Sequence, residues 1–186
     1  MTTLTSDPTP TPNPISRLPR WRLALWGGAL LALALPYFAM QVSSEMNWTG
    51  FDFLVFGLML AVACGGVELA VHLSDKNSYR IAAILALGGG FLMVWANLAV
   101  GIIGNENNPQ NLLFFGVLAA GAIGALLARF KACGLAATLR VMAVLQLLLG
   151  IAAWALGWAF LPVFTLFYVA LWWMAARLFA KAGPLS

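Results

Sequence analysis

A chain of 186 residues that is 62% hydrophobic and only 9% charged is not built as a soluble domain, where charged residues make up about a quarter of the chain. With a mean hydropathy of +0.91, most of its surface needs the bilayer as solvent. The net charge of +4 would suit nucleic acid, but no basic run with interleaved aromatics is present, and two cysteines exclude a disulfide framework.

Residues 1–20 are rich in Pro and Thr, poor in large apolar side chains and without periodicity, as expected of a disordered cytoplasmic tail. The apolar stretch that follows is too long for a signal peptide and has no A-x-A cleavage site, so it reads as a retained span. Six spans follow within a single membrane domain over 21–182. They are expected at about 23–42, 53–73, 81–103, 112–128, 141–159 and 163–176. Pro36 would sit inside the first, where membrane helices tolerate it. The break between the last two spans rests on Gly157 and Pro162 alone. The expected fold class is all-α, an integral membrane bundle of six transmembrane helices.

Six spans put every basic residue on one side. Arg17, Arg20 and Arg22 precede span one; Lys76 and Arg80 lie between spans two and three. Arg129, Lys131 and Arg140 lie between spans four and five, and Arg177 and Lys181 follow span six. The opposite loops carry Glu45, Asp52 and Glu106 instead. Positive charge beside span ends marks the cytoplasmic face. The N- and C-termini are therefore expected in the cytoplasm and the chain in a cell inner membrane. The basic side then faces anionic headgroups, with no nucleic acid partner. Trp21, Trp26, Trp48, Trp158, Trp172 and Trp173 fall near expected span ends, as an interfacial belt requires; Trp95 and Trp154 fall deeper.

Small residues recur every fourth position in span four (Gly116, Ala120, Gly124, Ala128) and in span two (Gly57, Ala61, Gly65). Such stripes let helices approach closely, within the chain or across a homo-oligomer seam. Gly88, Gly89 and Gly90 could unwind span three, as in the broken helices of transporters.

Glu68 and His72 are the only acid and the only histidine in any span. Helical rise places Glu68 roughly 7–8 Å to the cytoplasmic side of the midplane, with Gln146 of span five at similar depth. Asn97 of span three lies a similar distance to the outer side. Gly65, Glu68 and His72 share one helical face. An ionisable group at such depth is expensive and tends to be functional. Glu68 is then either protonated and able to exchange its proton, or ionised with His72 as its i,i+4 partner. The plainer alternative bonds a protonated Glu68 to Gln146 or to a backbone carbonyl. Glu45, Asn47, Asp52, Asn105, Glu106, Asn107 and Asn108 make the outer face acidic and rich in amides, suited to cations or a docking partner. In that loop Asn and Pro supply turn chemistry, with Asn111 placed to cap span four.

The run Asn97 to Asn111 (NLAVGIIGNENNPQN), with FGVLA from Phe115 and Ala128-Arg129-Phe130, resembles a group of uncharacterised small bacterial polytopic inner-membrane proteins. The resemblance covers about residues 48–135 and implies no activity, ligand or catalytic residue.

Three functions compete. One is a small transporter or channel for protons, a cation or a small solute, with Glu68 as the titratable group and His72, Asn97 and Gln146 as polar lining. Another is an accessory or assembly subunit of a larger membrane complex. The last is a haem or quinone redox protein, disfavoured for haem by the single histidine. No nucleophile elbow, P-loop, dinucleotide fingerprint or metal motif is present, so neither catalysis nor a cofactor or metal is expected. A topology reporter fused after Gly183 is expected to read out as cytoplasmic; a periplasmic signal would overturn the orientation.

Overall fold

A computed structural model describes residues 19–43 and 47–183. Nearly all of the tail expected to be disordered, and Glu45, lie outside the described residues. The chain forms six helices: α1 (Arg20–Val42), α2 (Gly50–Leu73), α3 (Asn77–Ala99), α4 (Leu112–Leu127), α5 (Ala132–Ala155) and α6 (Pro162–Ala182). There is no strand among the described residues. All six are long and apolar enough to cross a membrane, α4 together with the 3-10 turn Pro109–Asn111 before it.

Local chemistry sets the helix ends, and several of them differ from where hydropathy put them. Span three stops at Ala99 rather than 103, because Gly101 turns the chain at a φ of 77° and Gly104 does so again at 72°. Ile102 and Ile103 form part of a loop, with Ile103 fully buried. Asn111 does not cap α4 with its side chain. Its Oδ1 instead accepts from the backbone N–H groups of Ile102 (3.0 Å) and Ile103 (2.8 Å), and its Nδ2 donates to the Asn105 carbonyl (2.7 Å). Span five begins at Ala132 rather than 141, since Arg129 and Phe130 take left-handed φ values of 50° and 58° and close the α4–α5 turn in a few residues. Arg140 is thus an exposed residue within α5 rather than part of a loop. The sixth helix runs on to Ala182 and ends at Gly183, φ 68°.

The chain divides into two compact units, one ending at Gly57 and the other starting at Leu58. In the first, α1 continues through a buried Pro36, and Gly57 leaves room for Leu33. Thr49 and Asp52 close the start of α2 as a reciprocal cap. The Asp52 carboxylate accepts from the Thr49 N–H and hydroxyl, both at 2.7 Å, and the Thr49 hydroxyl accepts from the Asp52 N–H.

In the second unit α6 packs against α5 and α3, and α5 also against α4. The remaining part of α2 makes little close backbone contact with the other helices. Trp172 is fully buried at the middle of α6, so it belongs to the core rather than to the interfacial belt. Conversely, Trp95 and Trp154 are exposed near the ends of α3 and α5. The small-residue stripe of α4 is used within the chain at Gly124, which lies against Thr138, and at Ala128, which lies against Gly134, while Gly116 is open.

The three glycines do not unwind α3, which is continuous through them. Gly89 admits Leu171 and the Trp172 ring, Gly90 borders a cavity, and Gly88 meets nothing. Gly89→Ala is expected to cost about 1–3 kcal/mol by overpacking. Gly88→Ala should be neutral or stabilising by up to about 1 kcal/mol. Thermal unfolding in detergent of the two variants checks the contrast.

Candidate functional site

Two features that meet at Trp172 stand where a single polar site was expected. The first is a set of buried polar side chains between α3, α5 and α6. Gln146 of α5 is 0% exposed, and neither atom of its amide has a hydrogen-bond partner. Asn97 of α3 is buried; its Nδ2 donates to the Met93 carbonyl at 2.8 Å, and its Oδ1 is unpartnered. Trp172 contributes an unpartnered indole Nε1. Helix register orders these groups. Gly150 lies against Thr165, so one turn further in Gln146 comes level with α6 between Tyr168 and Trp172. Gly89 lies against Leu171 and Trp172, which puts Asn97 about two turns away, level with Phe164. Asn97, Thr165, Gln146 and Trp172 therefore follow one another along about 12 Å of α6, from its N-terminal end to its middle.

Glu68 and His72 are not part of this set. Glu68 is half-buried on α2 and His72 is exposed in its last turn. Both amide atoms of Gln146 lack a partner, so no Glu68–Gln146 bond ties α2 to α5. Glu68 also faces away from the second feature, a cavity of about 500 Å³ inside the second unit. Met59, Val62, Gly66, Ala70 and Leu73 of α2 line it, and Glu68 emerges roughly 150° round the helix from the centre of that face. The other walls come from α3, α4, α5 and α6, and no charged side chain contributes to them.

The loop residues expected on the outer face are largely engaged in local turns. Asn108 accepts from the Gln110 N–H and Asn105 from the Asn107 N–H, both at 3.0 Å, while Asn107 donates to Glu106 at 3.1 Å. Asp52 serves the α2 cap, and Asn47 is exposed. Among the described residues, no three of His, Cys, Asp and Glu gather where they could hold a metal.

Sequence reasoning missed Trp172 and the cavity. A signal for Trp172 exists: Thr165, Tyr168, Trp172, Ala175, Ala176 and Phe179 repeat at helical spacing and are all buried. The cavity has no signal of its own, since its walls are the same Ala, Gly, Leu and Val that fill a close-packed bundle.

Six helices, each long and apolar enough to cross a membrane and joined by short polar or glycine-bearing turns, are the architecture expected of a multi-pass helical membrane protein. Comparison of the chain with protein-family models, curated proteins and solved structures finds no match.

An unpartnered amide contributes nothing to folding. Gln146→Leu should leave thermal stability unchanged or raise it by up to about 2 kcal/mol. Destabilisation would show instead that the amide is bonded within the protein.

Proposed function

We propose that the protein is a small transporter or channel that moves a proton, a cation or a small polar solute, with Gln146 as its central polar group. The observation that carries this is the complete burial of Gln146 with neither its donor nor its acceptor used. In a bilayer interior an unsatisfied polar group costs several kcal/mol, so it persists where water or a polar solute meets it. Asn97 and Trp172 extend the same requirement along α6, as successive stations for a hydrated species. Glu68 remains the intramembrane acid of this scheme, on a different face and separate from the amides. It supplies a titratable group through which transport responds to pH. His72, exposed at the end of α2, belongs to the aqueous approach on the same helix. The orientation that goes with this places the basic loops and both termini in the cytoplasm and the chain in the inner membrane.

Flux into proteoliposomes, with candidate ions and small solutes, tests the assignment. Gln146→Leu is expected to abolish flux while the protein stays folded, and Glu68→Gln to remove its pH dependence. Flux no greater than in protein-free liposomes, or wild-type flux in both variants, overturns it.

A further inference from the structure

We propose that the cavity of the second unit is a binding site for one acyl chain of an anionic phospholipid, with the lipid phosphate held by Arg129 and Lys131. Length is the first support. The α3 wall runs from Tyr79 to Val94, about 22 Å at helical rise, whereas the chains of one leaflet occupy about 15 Å of depth. The volume of about 500 Å³ falls within the roughly 300–1,000 Å³ of ligand pockets.

Chemistry selects a hydrocarbon chain. The walls carry no charge, and among their few polar groups only the Trp172 Nε1 lacks a partner. The Tyr79 hydroxyl donates to the Phe130 carbonyl at 2.8 Å, and the Thr138 hydroxyl to the Gly134 carbonyl at 3.0 Å. Gly90 and Ala125 border the space with side chains too small to fill it, while Met142 takes the room that Gly121 leaves.

The α4–α5 turn supplies the headgroup end. Arg129 and Phe130 are the non-glycine residues held at positive φ among those described, a conformation that costs energy and that here the Tyr79 bond and the Phe130 N–H bond to the Ala125 carbonyl maintain. This geometry sets Phe130 in the cavity wall while Arg129 and Lys131, on either side of it, are exposed. Neither cation pairs with a carboxylate among the described residues; Arg80 at the same end takes Asp75. Two free cations beside the end of an uncharged cavity match a phosphate joined to an alkyl chain.

Native mass spectrometry of the full chain tests this, after delipidation and titration with phosphatidylglycerol or phosphatidylcholine of identical chains. One phosphatidylglycerol per chain is expected, bound about tenfold or more tightly than phosphatidylcholine. In the Arg129→Gln/Lys131→Gln variant the preference should vanish while residual chain binding persists. Ala86→Phe, which fills the cavity, should remove both lipids. If Ala86→Phe does not fold, the charge variant decides alone, because its substitutions lie on the surface. A wild-type chain that takes the two lipids equally, carries none, or holds a quinone or a second copy of itself in their place overturns the proposal.

Discussion

Three side chains at the start of α3 hold one end of the second unit together. Lys76 donates to the Ala182 carbonyl at the end of α6 (2.7 Å), and Tyr79 donates to Phe130 in the α4–α5 turn. Arg80 donates to the carbonyls of Ser74 (2.8 Å) and Val71 (3.3 Å) at the end of α2. The last carbonyls of a helix have no partner within it and attract cations. Lys76 and Arg80 thus close the C-terminal ends of two helices. Tyr79 adds an edge-to-face contact with Phe179, ring centres 4.9 Å apart, so the knot is packed as well as hydrogen-bonded.

Away from that knot the unit is uneven. The helices α3, α5 and α6 are tightly packed around Trp172 and Met93, through small residues such as Gly89 and Gly150 that admit neighbouring side chains. The α2 face meets α3 through side chains, Leu87 packing against Gly66, and borders the cavity. Gln146 and Asn97 sit in the tight part and the space lies beside α2, with Trp172 bordering both. A polar species and a hydrocarbon chain would therefore occupy different places in the same bundle, the first against Gln146 and the second against α2.

Much of the plan was legible in the residues. The number of helices follows from apolar runs of bilayer length separated by Asn, Asp, Pro and Gly, and those runs appear as helices. The ends were less legible, because hydropathy reports where lipid could lie rather than where hydrogen bonding stops. The α5 helix begins nine residues before its expected start, in a basic stretch that hydropathy scores as loop although nothing in it breaks a helix. The third span appears longer in hydropathy than in the fold, because Gly101 ends the helix inside an apolar run.

The candidate site divides along the same line. The order of residues by itself determined that six runs are long and apolar enough to cross a bilayer and that Glu68, Asn97 and Gln146 are the unusual polar side chains within them, since the cost of a polar group in hydrocarbon depends only on what the group is and how deep it lies. Which of them act together depends on which way each helix is turned. A rotation of about 100° per residue separates neighbours in sequence, and packing against other helices sets its origin. Tertiary structure therefore decided that Gln146 and Asn97 share the α3–α5–α6 core with Trp172, that Glu68 looks away from the cavity, and that Gly89, Gly124 and Ala128 are taken up in packing within the chain.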